Sequence, residues 1–75
     1  MRVWLELRGY LAGVSGPGGR WMELGAGAAV GDLLDLCGIR PSEVGLVTVN
    51  GKAADGGQEL RDRDRVVVWP LVVGG

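Results

Sequence analysis

Histidine is absent from this chain of 75 residues, and cysteine occurs once, as Cys37. Without histidine, the chain lacks the usual general base and the commonest protein ligand for metal ions. A single cysteine excludes an internal disulfide and any cysteine cluster that could hold zinc or an iron–sulfur centre. We therefore expect a chain that is not itself an enzyme and that binds neither a metal nor a cofactor of its own.

An excess of charge of either sign is also missing. Eight basic and nine acidic residues give a net charge of −1, which indicates no footprint for nucleic acid or for an anionic membrane surface. No apolar run approaches the roughly 20 residues of a membrane helix, and the chain opens with a strand pattern instead of a targeting segment. We predict one domain over residues 1–75 in the cytoplasm, with no nucleic acid and no membrane among its partners.

The first strand is predicted from alternation over residues 2–8, where Val3, Leu5 and Leu7 share one face and Trp4 and Glu6 the other. Residues 13–19 are mostly glycine with one proline, which is typical of a flexible hairpin loop. A phosphate cradle is the alternative, but neither a Lys-Ser/Thr pair nor a helix follows. Residues 20–24 are predicted to return as a second, antiparallel strand.

From Val30 the apolar period becomes that of a helix. One apolar stripe, at spacing i, i+3, i+4 and i+7, consists of Val30, Leu33, Leu34 and Cys37. Gly38 suits the left-handed position that follows a helix, and Ile39 can pack back on the helix in a Schellman ending. Cys37 has two interpretations, a small core residue or a reactive thiol, and its place on the stripe favours the first.

Further strands are predicted after the helix. Residues 41–43 indicate a short turn and residues 46–49 a third strand. Asn50-Gly51 predicts a tight hairpin because both residues accept positive φ, so residues 52–54 should return as a short fourth strand. The last strand is predicted at residues 65–69. Arginine and aspartate alternate over residues 61–65, which favours a solvated surface that steers a partner over a row of phosphate-binding arginines.

Two strands, one helix and then further strands, in so short a chain, predict an α+β fold. The order is ββαββ, that of the β-grasp, with a mixed sheet of four or five strands packed on one helix. The helix accommodates a parallel pairing between the first and last strands.

The C-terminus is the most distinctive segment, because Gly74-Gly75 follows directly on an apolar run at residues 66–73. Without a Cβ, glycines let an extended tail enter a narrow channel and present a terminal carboxylate there. Residues 71–75 are predicted to form a flexible tail that reaches about 16 Å at roughly 3.3 Å per residue. Because 15 of the 75 residues are glycine, an unstructured glycine tail is the alternative. The position after a final strand favours a functional tail.

Four segments together carry a resemblance to a known family. They are Val30-Gly31-Asp32-Leu33-Leu34, Val49-Asn50-Gly51-Lys52, Asp64-Arg65-Val66, and Pro70 followed by Val72-Val73-Gly74-Gly75. Over nearly the whole chain these residues resemble the ThiS/MoaD family of ubiquitin-like sulfur carriers. The chain departs from the family at Arg63, where a glycine is usual, at Leu71, where a second proline is frequent, and at the helix start, which lacks the usual threonine.

The resemblance implies a mechanism in which the carboxylate of Gly75, with Gly74 beside it, is adenylated by an E1-like adenylyltransferase that uses ATP and magnesium. A sulfur donor of the desulfurase, rhodanese or another type then converts it to a thiocarboxylate. An acceptor synthase subunit receives the sulfur for cofactor biosynthesis, so the chain is a carrier or a synthase small subunit. The length and the long first hairpin favour the molybdopterin branch over the thiamin branch. Two alternatives stay open: a ubiquitin-like modifier joined to lysines through Gly75, and an interaction module that does not use the tail.

A partner-binding surface is predicted on the sheet face opposite the helix. If Val66 and Val68 are buried, Val67 and Trp69 face outward together with Trp4. Large aromatic residues among charged ones are typical of interface anchors, with core packing as the alternative. The predicted partner-binding residues are Trp4, Thr48, Val67, Trp69, Leu71, Val72 and Val73.

Overall fold

The computed structural model describes residues 1–15 and 18–72. Within these residues, the chain forms five strands, two α-helices and two 3₁₀ segments. In chain order they are β1 (Arg2–Leu7), a 3₁₀ segment (Gly9–Leu11), α1 (Ala12–Ser15), β2 (Gly19–Glu23), α2 (Val30–Leu36), a 3₁₀ segment (Pro41–Glu43), β3 (Val44–Val49), β4 (Lys52–Ala53) and β5 (Arg65–Pro70).

The strands form one mixed sheet in the order β2-β1-β5-β3-β4. β1 pairs antiparallel with β2 and parallel with β5, with Leu5 beside Val66. β3 pairs antiparallel with β5 and with β4. The predicted α+β fold of the β-grasp type is confirmed, including the parallel pairing of the first and last strands.

The core lies between one face of the sheet and α2. Val3, Leu5 and Leu7 of β1 are 0%, 2% and 3% exposed, which confirms the inward face predicted from their alternation. Residues from the other elements complete this core: Leu11, Leu24, Val30, Leu33, Leu34, Ile39, Val47, Val49, Leu60, Val66 and Val68. Burial of this apolar area is the main term that stabilises so small a domain.

Helix α2 begins and ends as its sequence predicts. At its start the Asp32 carboxylate accepts a hydrogen bond of 2.8 Å from the backbone N–H of Ala29. This is the half of a capping box that the third helical residue supplies; Ala29 has no side-chain acceptor for the other half, which a threonine would supply. At its end Gly38 has φ +70°, and the N–H of Ile39 donates to the Leu34 carbonyl at 3.0 Å. This is the predicted Schellman ending.

The connection between β1 and β2 differs from the predicted flexible loop. Within predicted loop residues 13–19, residues 13–15 belong to α1 and Gly19 to β2, whereas Gly16 and Pro17 lie outside the described residues. The 3₁₀ segment before α1 places Leu11 in the core at 1% exposure. Tertiary burial of Leu11 therefore anchors a helical turn in a segment whose composition alone favours a loop.

The hairpin between β3 and β4 is confirmed. Asn50 and Gly51 have φ of 52° and 84°, as a two-residue turn of this kind requires. The Asn50 side chain also reaches β5: its Oδ1 accepts from the N–H of Arg65 at 2.9 Å, and its Nδ2 donates to Asp64 at 2.9 Å. Asn50 thus joins the turn to the start of the last strand, and β4 ends one residue earlier than predicted.

Arg63 adopts a left-handed conformation, with φ +68°, at the position where a glycine is usual in the family that the sequence resembles. Its N–H donates to the Arg2 carbonyl at 2.6 Å, and its ion pair with Asp62 is long and highly exposed. The side chain therefore contributes little to compensate for the backbone strain that a Cβ causes at this φ.

We expect Arg63→Gly to raise the free energy of unfolding by about 0.5–1 kcal/mol, because relief of strain exceeds the extra chain entropy of glycine. Urea unfolding followed by tryptophan fluorescence measures this change. Arg63→Ala is the matched control, since it removes the guanidinium but keeps the Cβ. Equal stability of the Gly and Ala variants would show that relief of strain does not exceed the extra chain entropy of glycine.

Candidate partner surface and tail

Strand β5 carries the centre of the candidate surface. Val66 and Val68 are completely buried against the core, so Val67 and Trp69 belong to the opposite face of the sheet, here called the outer face. Trp69 is 36% exposed, whereas Val67 is only 5% exposed. Val67 lies between Glu6 of β1 and Thr48 of β3 in the register of the sheet, so it offers a partner little area.

The chain leaves the sheet immediately after β5. The N–H of Leu71 donates to the Glu43 carbonyl at 2.8 Å, but the side chains of Leu71 and Val72 are 46% and 80% exposed. The tail therefore begins at the surface, beside the start of β3. The predicted site residues Val73, Gly74 and Gly75 lie outside the described residues.

Gly45 determines how the end of β5 approaches β3. A Cβ at this position would lie 2.7 Å from the Pro70 carbonyl oxygen and 3.2 Å from the Cα of Leu71. The β3–β5 register shifts between Val44 and Leu46, which is the mark of a β-bulge. Glycine at this bulge allows the backbone that leads into the tail to pack closely on β3. Nothing in the sequence prediction singled out Gly45.

Trp4 pairs with a tryptophan that the sequence prediction did not include. Trp21 of β2 stands opposite Trp4 in the register, and their rings form a T-shaped contact with centroids 5.3 Å apart. The Arg2 guanidinium lies 4.8 Å from the centre of the Trp21 ring. Trp21 is 46% exposed and Trp4 is partly buried. Alternation in β2 would have placed Trp21 outward, but only the register of the sheet brings it to Trp4.

Glu6 connects side chains of β1 and β5 in the middle of the outer face. Its carboxylate accepts from the Trp4 indole N–H at 2.9 Å, from Arg8 at 2.7 Å and from Arg65 at 3.1 Å. The Trp4 hydrogen bond, and then the Arg65 guanidinium and the charge of Arg8, hold the pKa of the Glu6 carboxyl below its ordinary range despite partial desolvation. This carboxylate therefore orients Trp4 and ties β1 to β5.

The pKa of Glu6 is lower in the folded state than in the unfolded state, so ionised Glu6 stabilises the fold. This contribution is complete above the ordinary glutamate pKa of about 4.3, and it is lost as the pH falls through the folded pKa. We expect Glu6→Gln to lower the melting temperature at pH 7 by more than at pH 3. Thermal unfolding by circular dichroism from pH 7 to pH 3 measures the difference between the two proteins. A difference that stays constant with pH would contradict this role.

The alternating residues before β5 act mainly within the domain. Asp62 accepts from the N–H of Arg2 at 2.8 Å, and Asp64 accepts from the N–H of Arg61 at 2.8 Å. Asp62 therefore joins this segment to β1 and Asp64 stabilises the turn before β5, while the side chains of Arg61 and Arg63 lie in solvent. Aspartates therefore lie among the arginines of this segment, which does not suit a row of phosphate-binding arginines.

Cys37 is partly buried at the end of α2 and packs against the core. Burial raises the pKa of the Cys37 thiol, which opposes thiolate chemistry. Across residues 1–15 and 18–72, no group of three or more potential ligand side chains could hold a metal ion. No helix in the described part of the chain is both long and apolar enough to cross a membrane.

A mixed five-stranded sheet over one main helix, with a tail that leaves the central strand β5, defines a ubiquitin-like β-grasp protein. The chain matches the family model described as Mut7-C ubiquitin over residues 1–73. It belongs to this family of ubiquitin-like domains. No curated protein sequence matches it significantly.

Solved structures agree with this assignment. SAMP1 from Haloferax volcanii is 29% identical, with a TM-score of 0.79 and full coverage of both chains. A protein described as molybdopterin converting factor subunit 1, from Pyrococcus furiosus, is 24% identical, with a TM-score of 0.80 and coverage of 96% of this chain and 99% of its own. A chain from the complex of subunits 1 and 2 of the molybdopterin-converting factor of Helicobacter pylori is 17% identical, with a TM-score of 0.67 over the full length of both. The resemblance to the ThiS/MoaD-like proteins is thereby confirmed at the level of the fold.

Proposed function

We propose that this protein is a ubiquitin-like sulfur carrier, in which the α-carboxylate of Gly75 is the group that is activated and transferred. The observation that carries the proposal is the exit of the chain from β5, where Val72 is already 80% exposed two residues after the strand. A tail that starts in solvent can enter the active site of another protein while the domain stays folded. The proposal requires Gly75 to be the last residue of the active form.

The chemistry takes place in the partner enzymes. A carboxylate oxygen of Gly75 attacks the α-phosphorus of ATP, and pyrophosphate leaves with magnesium. The terminal sulfur of a desulfurase or rhodanese persulfide then attacks the acyl carbon and AMP leaves, which gives an acyl disulfide. A second thiol attacks the donor's sulfur, becomes oxidised to a disulfide with it, and releases the thiocarboxylate; a donor of another type that delivers sulfide would give the thiocarboxylate directly. Gly74 and Gly75 suit this task because they lack side chains that would keep the reacting carbon away from the nucleotide.

The outer face is the surface on which we place the partner enzyme. Trp69 stands nearest to the tail on β5, and Thr48 and Leu46 lie beside Val67 and Trp69 on β3. An apolar surface with partly exposed aromatic side chains and an ion-paired centre at Glu6 matches the composition of interface hot spots. Leu71, Val72 and Val73 would continue this contact into the channel that receives the tail.

Structural likeness favours the molybdopterin branch over the thiamin branch. The Pyrococcus furiosus and Helicobacter pylori proteins are described as parts of the molybdopterin converting factor, and the latter is in complex with subunit 2. By this analogy, the acceptor of sulfur is a larger synthase subunit, and the present chain is its small, non-catalytic partner. At 24% and 17% identity these structures support a shared fold but not a shared acceptor, so the identity of the acceptor is proposed by analogy.

Incubation of the chain with its E1-like enzyme, ATP, magnesium and a sulfur donor tests the proposal. Intact mass spectrometry should show that the chain ends at Gly75 and that one oxygen is exchanged for sulfur on the C-terminal fragment. Omission of ATP should prevent the exchange. A chain that ends at Gly75 and stays unmodified with an active, cognate enzyme would argue for an interaction module that does not use its tail.

A second function, that of a ubiquitin-like protein modifier, is favoured by the likeness to SAMP1, which a related structure describes as small archaeal modifier protein 1. The same activated Gly75 would then form an amide bond with a lysine amine. Enrichment of tagged chain from cells, followed by a search for lysines that carry residues 66–75 after tryptic cleavage at Arg65, the last basic residue of the chain, separates the two functions. A carrier alone would give thiocarboxylate without such remnants.

A further inference from the structure

A groove of about 460 Å³ lies on the helix side of the sheet, between α2 and β3. Most of its lining is apolar, and the side chains that form it include Val30, Leu34, Pro41, Val44, Val47 and Ala54. At its β3 end the groove meets the outer face at Leu46, which stands opposite Trp69, and the start of the tail at Gly45. Its other lining residues lie on the helix side, where neither the tail chemistry nor the tryptophans account for them.

One wall of the groove is a strand edge with no neighbour. β4 pairs only with Thr48 and Val49, so no strand covers residues 44–46 of β3 on that side in the described parts of the chain. Ala54 donates to the Val47 carbonyl at 2.9 Å, after which the chain turns away through Asp55. An uncovered edge beside an apolar groove suits an extended peptide, which adds a strand through its backbone and buries every second side chain.

The charge around the groove restricts which peptide fits. Asp35 of α2 and Asp55 after β4 both line it, both are exposed, and no lysine or arginine does so. Among the described residues, neither carboxylate takes part in an ion pair, although Asp55 accepts from the N–H of Gly57 at 2.9 Å. This charge attracts a cationic segment and repels the C-terminal carboxylate of a second copy of the chain.

We propose that this groove binds an extended segment of a partner protein, in which apolar residues alternate with polar ones and lysine or arginine lies beside them. The segment adds a strand along residues 44–46 of β3, places apolar side chains over Leu34 and Ala54, and pairs its cations with Asp35 and Asp55. This site would hold a partner on the helix side of the sheet, next to the outer face but away from Trp4 and Trp21.

Titration of a synthetic heptapeptide, acetylated and amidated Lys-Thr-Val-Thr-Val-Thr-Lys, into the full ¹⁵N-labelled chain tests the groove. Amide shifts are expected to concentrate at Gly31, Leu34, Val47 and Ala54. The same peptide with glutamate in place of both lysines should bind at least about fivefold more weakly. A peptide with proline in place of the central threonine should also bind more weakly, because it cannot complete the strand.

Variants of the chain isolate the charge contribution. Asp35→Lys, close to the C-terminal end of α2 where a cation suits the helix dipole, is expected to weaken binding of the lysine peptide at least about fivefold. Glu23→Lys, with the same change of charge on the distant strand β2, should leave binding unchanged. Deletion of residues 73–75 should also leave it unchanged, which separates this site from the proposed sulfur carrier function.

Three results would overturn the proposal. They are the absence of any shift at millimolar peptide, shifts confined to the outer face, and equal affinity for the lysine and glutamate peptides. Equal binding by wild type and Asp35→Lys, with both chains folded by their spectra, would likewise remove the assigned role of the acidic rim.

Discussion

A chain extended by one leucine after Gly75 is expected to lose sulfur loading completely while it keeps its fold. Only a free α-carboxylate can attack ATP, and the extension moves the carboxylate onto a side chain-bearing residue beyond the reacting position. Stability should stay within about 0.5 kcal/mol of wild type, because the added residue follows a segment that is already in solvent at Val72. Intact mass spectrometry of the loading reaction measures the first effect, and urea unfolding measures the second.

Two further variants test how sulfur loading depends on the size and position of the last residue. Gly75→Ala keeps the free carboxylate and adds one methyl group, so loading should fall without disappearing, whereas deletion of Gly75 should abolish it. Loading of the leucine extension at the wild-type rate, with the extra residue still present in the mass spectrum, would show that Gly75 does not carry the transferred group.

Trp69→Ala is expected to weaken binding of the partner enzyme by about 30-fold or more, the loss of about 2 kcal/mol that is typical of a tryptophan hot spot. The side chain is 36% exposed on β5, directly before the residues that lead into the tail. Because part of the ring is buried within the domain, the free energy of unfolding should also fall, by about 1–2 kcal/mol. Calorimetric titration and urea unfolding measure the two effects separately.

Leu36→Ala is the matched control for Trp69→Ala. Leu36 is 63% exposed but belongs to α2, away from the outer face, so its truncation should not change partner affinity. If Trp69→Ala lost stability but bound the partner as tightly as wild type, Trp69 would be a packing residue of the sheet. The same comparison for Trp21→Ala shows whether the binding surface extends past β1 to β2.

Local patterns in the sequence were sufficient for most of the fold. The alternation of Val3, Leu5 and Leu7, the helical spacing from Val30 and the Asn50-Gly51 pair each depend on neighbours a few residues away. Such signals indicate which side chains face the core and where the chain turns, so the ββαββ order followed from them. The resemblance in the last quarter of the chain then directed attention to the tail.

The tertiary structure decided what depends on residues far apart in the chain. Pairing of β1 with both β2 and β5 brings Trp21 to Trp4 and Arg65 to Glu6, and neither contact has a local signature. The left-handed Arg63, the close approach at Gly45 and the turn at α1 result from packing that overrides residue preference. The amino-acid sequence by itself determined which face of each strand and helix is buried. The register between distant strands determined which residues meet on the outer face, because strand pairing joins positions that local periodicity cannot relate.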